Sequence, residues 1–315
     1  MVNVVVTCTK SKTASVPKSL RLRAVRSGSI EDRAESWFQR VKKTASERIK
    51  VRNLYKGDHW SAAKAIDSFA GGRKHQVWVS SAGFGVLSLE DSLPAYSATF
   101  SGAHPDCVVS KSDVYNRRIA LSDWWQAVCD WPNSSLRPRR SLESIALEAP
   151  SQSLIIVGSD EYLHAMHQDL LRAVAALERP SLLSIFSAGC KELDGLDDSL
   201  VRYDARMQGF VGGALRSLNM RVACWALEEC GKSKPTYSLL QKRVADQLSK
   251  QPDFSMPVRK QMSDDAVRRF ILKELIKDSK ACHSPLLRKL RKANMACEQK
   301  RFANLFREVK GQLDG

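Results

Sequence analysis

No apolar run in this chain of 315 residues approaches the roughly 20 residues that a membrane-crossing helix requires, which excludes a helical membrane protein. The opening MVNVVVTCTKSK has too short an apolar core for a secretory signal, so a soluble, cytoplasmic protein is expected. Cysteine is present but dispersed. Cys8, Cys107, Cys129, Cys190, Cys224, Cys230, Cys282 and Cys297 form no CxxC and no Cys/His cluster at ligand spacing, so reduced thiols and no metal are expected. There is no P-loop, no G-x-S-x-G elbow and no G-x-G-x-x-G fingerprint, and no cofactor is expected. The last absence is local. Residues 77–100, VWVSSAGFGVLSLEDSLPAYSATF, hold no lysine or arginine, although the chain carries a net charge of +16.

The basic excess sits at the two ends. Residues 1–50 carry 12 lysines and arginines against 4 acids, and residues 231–315 carry 20 against 9, while the long middle is slightly acidic. A polyanion held by the ends is the economical explanation, and nucleic acid is the expected polyanion, narrowed to double-stranded DNA only by the resemblance given below, with no membrane and no protein partner indicated.

VNVVVTCTKS reads as a fully buried strand, of the kind parallel sheets contain. SIEDRAESWFQRVKKTA has helical spacing with Ser29 placed as N-cap. HQVWVSSAG, SQSLIIVGSDEYL and PSLLSIFSAGC are further strands, and YLHAMHQDLLRAVAAL is an amphipathic helix. ARMQGFVGGALRSLNMRVACWALEECG reads as helical with a strand at MRVACWAL. Strands alternating with helices predict an α/β fold, a three-layer domain with a mainly parallel sheet over residues 1–230. Beyond the breaker GKSKPTYS, residues 231–315 read as a smaller basic helical module. Its last two helical patterns, parted near Ala293 and Asn294, are compatible with a helix-turn-helix or winged-helix unit.

In parallel sheets ligands bind beyond the carboxyl ends of the strands, which here collects the loops CTKSK, SSAGFG, GSDEY and SAGC. Their small residues let backbone approach a flat, uncharged group, so Ser81, Gly83, Phe84, Gly85, Tyr96, Ser159 and Tyr162 are candidate base contacts. Asp160 in GSDEY suits a carboxylate that orients water or stabilises an oxocarbenium-like sugar as an N-glycosidic bond breaks. It equally suits a helix cap. Asp204, between Arg202 and Arg206, is the second candidate acid, or else an ion pair. Lys10, Lys12 and Cys8 offer an amine or thiolate nucleophile, or phosphate contacts and packing. Tyr55, Arg206, Arg288, Lys289, Arg291, Lys292, Lys300 and Arg301 complete the candidate DNA contacts, together with Lys10 and Lys12.

The succession Cys8-x-Lys10-x-Lys12, Leu54-Tyr55-x-Gly57, Val79-Ser80-Ser81-Ala82-x-x-Gly85-Val86-Leu87 and Pro94-x-Tyr96 resembles the DUF6884-type family of bacterial and phage-encoded proteins. It is similar, more distantly, to the peroxide-stress YaaA family. LIIVGSDEYLH resembles the first motif of uracil-DNA glycosylases, in which a strand ends in Gly-Gln-Asp-Pro-Tyr-His and the Asp directs water at the sugar. Gly158, Asp160 and Tyr162 match that motif; Ser159 and Glu161 depart from it, the His is displaced by one position, and no His-Pro-Ser motif follows. Together these resemble the anti-phage DNA glycosylases that act on hypermodified bases. The resemblance implies base flipping and removal of α-glucosylated hydroxymethylcytosine, with Asp160 as the catalytic carboxylate. A non-enzymatic DNA-binding stress protein and a base-exchanging transglycosylase are the alternatives.

Overall fold

The computed structural model describes residues 1–25, 27–66, 74–109, 113, 117–131, 140–254 and 259–314. The chain divides into two compact units, Met1–Pro252 and Asp253–Gly315. The larger runs β1 (Val2–Thr7), α1 (Ile30–Lys43), β2 (Ile49–Lys50), α2 (Val51–Leu54), α3 (Asp58–Ile66), β3 (His75–Ser81), β4 (Gly85–Ser88) and β5 (Ser92–Leu93). It continues through α4 (Arg117–Asp130), α5 (Leu142–Glu148), β6 (Ser153–Val157), α6 (Asp160–Ala176), β7 (Leu183–Phe186), β8 (Leu200–Val201), α7 (Met207–Val211), α8 (Leu218–Glu229) and α9 (Tyr237–Leu248). The smaller holds β9 (Lys260–Gln261), α10 (Asp264–Lys277), α11 (His283–Lys292), β10 (Met295–Ala296) and α12 (Gln299–Asp314).

Six strands form one sheet in the order β4-β3-β1-β6-β7-β8, parallel except for β4, which returns antiparallel beside β3. Every residue of β1 is buried, because the strand is hydrogen-bonded on both edges and covered on both faces. Val4 sits opposite Val77 of β3 on one side and Ile155 of β6 on the other. Helix α3 packs on α8, and α6 packs with α4 and α5, giving the three-layer α/β architecture. Helix α1 begins at Ser29 as expected, with Ser29 and Asp32 each satisfying the other's backbone N–H. Among the described residues no helix is long and apolar enough to cross a membrane.

Two expectations are corrected. MRVACWAL is not a strand but lies inside α8, whose buried Met220, Ala223 and Leu227 recur at helical spacing. A short apolar run cannot separate strand from helix by periodicity alone. The larger unit also runs past residue 230, since Leu240 and Val244 of α9 are buried in the α/β core.

The cation-free loop turns β3 into β4 inside that core. Trp37 Nε1 donates to the Gly83 carbonyl at 2.8 Å and Trp124 Nε1 to the Ala82 carbonyl at 2.7 Å. Ser81 Oγ accepts from the amides of Gly83 and Phe84 at 3.2 and 3.1 Å. Gly85 has φ +66°, and a Cβ there would lie 2.9 Å from Cys129 Sγ and 3.1 Å from the Val128 carbonyl, so glycine is required twice over. Trp124→Phe keeps most of the ring but strands the Ala82 carbonyl. It is expected to cost about 1–3 kcal/mol in urea unfolding, and an unchanged midpoint would remove this bond from the account.

Candidate active site

Sheet topology selects one point. The chain builds outward from β1 in both directions, so neighbouring β1 and β6 send their following segments apart, and a ligand crevice is expected beyond their carboxyl ends. The Cys8 thiol and the Tyr162 hydroxyl, 3.3 Å apart, meet across that point. His59 Nε2 lies 3.0 Å from the Thr7 carbonyl, tying α3 to the same strand end. Lys10 and Ser159 are exposed on the two sides.

Beneath the loops lies a buried polar cluster. The Tyr96 hydroxyl sits 2.5 Å from Ser81 Oγ and 2.7 Å from the Tyr55 hydroxyl. Because Ser81 Oγ already accepts two amides, its own proton is best spent on Tyr96, whose proton then goes to Tyr55. Lys12 Nζ donates to the Thr9 carbonyl at 2.6 Å and lies 4.9 and 4.5 Å from the ring centres of Tyr55 and Tyr96. Burial pushes the phenols of Tyr55, Tyr96 and Tyr162 well above their ordinary value, and burial pulls the Lys12 ammonium down.

This burial corrects several expected contacts. Ser81, Phe84 and Tyr96 are fully buried, and Phe84 packs edge-on against Tyr96 with ring centres 4.8 Å apart, so neither ring offers a face to a base. Gly83 and Gly85 are buried with them, because the turn plugs the core. Tyr55 and Lys12 lie in the cluster and not on a phosphate-facing surface. Tyr162 is nearly buried, its ring edge-on to Phe100 at 4.8 Å, and presents its hydroxyl to Cys8.

The carboxylates separate by what already binds them. Asp204 is gripped by its neighbour: Arg206 Nη2 lies 2.8 Å from Oδ2 and Nε 3.0 Å from Oδ1, and the Arg206 guanidinium holds the acid below its ordinary range. Asp169 accepts from Trp125 Nε1 and from the amides of Leu142 and Glu143, so it seats α5 on α6. Asp106 is bound by Arg23 and Ser97; burial raises its carboxyl, and these hydrogen bonds outweigh burial and hold it well below the usual range. Asp160 is different. Ser159, and not Asp160, is the N-cap of α6, and it makes no side-chain cap bond. The Asp160 carboxylate is 47% exposed, with Oδ1 3.3 Å from His164 Nε2 one helical turn on. The Cys190 thiol faces it too, and burial first, then the Asp160 charge, pushes that thiol up to about 12.

His164 also lines a cleft of about 450 Å³ with Arg118, Asp123, His167 and Glu192. Among the described residues no group of three or more His, Cys, Asp or Glu is arranged to hold a metal ion. In the smaller unit Arg288, Lys292 and Lys300 are exposed, Lys289 pairs with Glu274, Arg301 Nε donates to Asp264 at 2.6 Å, and Arg291 Nη2 donates to the Cys297 carbonyl at 3.2 Å.

Asn219 of α8 went unforeseen. Its Nδ2 donates to the Gly158 carbonyl at 2.7 Å, and its Oδ1 accepts from the Ala188 amide at 3.0 Å and the Tyr203 hydroxyl at 2.8 Å. One side chain thus fastens the segments that follow β6, β7 and β8. No sequence signal marks it, because two of its three partners are backbone groups and all three come from other segments of the chain. No protein-family model matches the chain, and no curated protein matches its sequence.

Asn219→Ala leaves three partners without their bond and is expected to cost about 1–3 kcal/mol in urea unfolding; a variant as stable as the wild type would show that the loops hold themselves. Acid should act on α3. Hydrogen bonds from Arg221 and then Ser217 hold the Asp58 carboxyl down at about 2, against roughly 3.9 for a free aspartate. A depressed folded-state value gives stability that is complete above about pH 4 and lost as pH falls toward about 2. Asp58→Asn is expected to flatten the acid limb of the urea midpoint in that window, and an unchanged limb would contradict the assignment.

Proposed function

We propose that the chain is a DNA N-glycosylase whose catalytic carboxylate is Asp160. The observation that carries this reading is the state of that carboxylate. It stands half exposed at the carboxyl end of β6, beside the point where β1 and β6 part, with His164 and Cys190 as its partners among the described residues. Asp204, its rival from sequence, is neutralised by Arg206.

Such a carboxylate suits cleavage of the bond between a base nitrogen and C1′ of the sugar. As that bond breaks, its electron pair leaves with the base and C1′ gains cationic character, which a nearby negative charge stabilises. Water then adds its oxygen to C1′, and its proton balances the departing base, leaving an abasic sugar. His164 at 3.3 Å holds Oδ1 and orients the carboxylate. The target base must leave the stack to reach it. Since the Phe84 and Tyr96 rings are buried, recognition falls to exposed groups around the crevice, among them Lys10 and Ser159. That the base is hypermodified, and α-glucosylated hydroxymethylcytosine in particular, rests on the sequence resemblance alone.

The test is to incubate the protein with phage DNA carrying glucosylated hydroxymethylcytosine and with unmodified DNA. Released bases are read by mass spectrometry and abasic sites by aldehyde-reactive labelling. Release from the modified DNA alone is expected, reduced by about a hundredfold or more in Asp160→Asn and little changed in Asp204→Asn. Binding to both DNAs with release from neither would overturn the enzyme reading in favour of a DNA-binding protein.

A further inference from the structure

The smaller unit contains a cavity of about 490 Å³ lined by three arginines from three segments: Arg259 ahead of β9, Arg291 in the last turn of α11, and Arg301 in the first turn of α12. Each is anchored by a backbone carbonyl. Arg259 Nε donates to Arg291 at 3.4 Å, Arg291 Nη2 to Cys297 at 3.2 Å, and Arg301 Nη2 to Met262 at 2.9 Å. Arg301 also pairs with Asp264. Among the described residues, neither Arg259 nor Arg291 has a carboxylate within ion-pair distance.

The lining carries three cations against one acid, Glu298. That acid is engaged, because its oxygens accept the amides of Lys300 at 2.9 Å and Arg301 at 2.7 Å. Of the three lining arginines, Arg301 is paired with Asp264, whereas Arg259 and Arg291 line the cavity with only backbone carbonyls as hydrogen-bond acceptors among the described residues. Guanidinium forks match the oxygens of a phosphate, and several forks on one concavity suit a phosphate better than a single carboxylate. Arg288 and Lys292 of α11 and Lys300 of α12 are further exposed cations on the two helices that carry Arg291 and Arg301. Between the helices Asn294 takes the left-handed conformation, φ +56°, that ends α11 and permits the turn into α12.

We propose that this cavity seats a backbone phosphate of duplex DNA, with Arg259 and Arg291 as its principal ligands. The inference shares only its partner with the glycosylase reading, and a protein that binds DNA without cleaving it would satisfy it. The test therefore measures binding, on the full chain, and the two readings fail separately.

Affinity for a short fluorescent duplex is measured against salt for the wild type, for Arg259→Gln/Arg291→Gln, and for Lys273→Gln/Lys280→Gln, which removes the same charge from exposed side chains of the same unit. The arginine pair is expected to lose about tenfold or more in affinity and to lower the salt slope by about 1, for the one phosphate the cavity seats, with the lysine pair changing less. Equal losses in both pairs would reduce the effect to net charge and overturn the proposal, as would no loss. Competition by inorganic phosphate with no change in duplex affinity of the arginine pair would assign the cavity to free phosphate instead. Should the double variant fail to fold, Arg259→Gln alone, which gives up only the weak 3.4 Å contact to the Arg291 carbonyl, is expected to lose affinity in the same direction and by less.

Discussion

The buried pairing of β1 on both its edges governs the larger unit. VNVVVT offers its neighbours β-branched side chains on both faces, and four buried valines at about 1.5–3 kcal/mol each outweigh any local preference the segment has. Once β1 is central, the chain must add strands on either side of it, β3 and β4 one way and β6, β7 and β8 the other. The parting of connections beyond β1 and β6 follows from that order. So does the gathering there of Cys8, His59, Tyr162 and Asp160 from segments up to 154 residues apart.

The absence of lysine and arginine around the turn of residues 81–85 has a packing explanation. That turn lies in the core, with its exposed-looking carbonyls capped by Trp37 and Trp124 and its amides by Ser81. A lysine or arginine there would bring a charge into a space whose hydrogen-bonding groups are already paired, at a cost no available partner offsets. The same logic accounts for Lys12, which tolerates burial through the Thr9 carbonyl and two aromatic faces. Polar side chains without such cover, Asp160 and Lys10 among them, stand in the solvent-exposed layer.

Much of the fold was legible because its signals are local. The continuous apolar runs of β1 and β6, the Ser29 capping box and the amphipathic α6 each carry their own evidence within a dozen or so residues. MRVACWAL misled because eight apolar-rich residues fit either period, and the packing of α8 against α3 decides it. For the candidate site, the Asp160 and His164 pairing was open to reading at helical spacing. Which aromatic residues are walls and which are core was not, since Phe84 and Tyr96 are buried in a core that includes Trp37, distant in sequence. Asn219 was hidden for the same reason.

The central claim is that a base drawn out of duplex DNA lies beyond the carboxyl ends of β1 and β6 with its sugar against Asp160. A crystal structure of Asp160→Asn bound to a duplex containing the modified base tests it most directly. The account predicts an extruded nucleotide between the loop after β1 and the start of α6, with C1′ facing residue 160. A base still stacked in the duplex, or one seated in the cleft formed by His164, His167 and Glu192 with its C1′ turned away from residue 160, would contradict it.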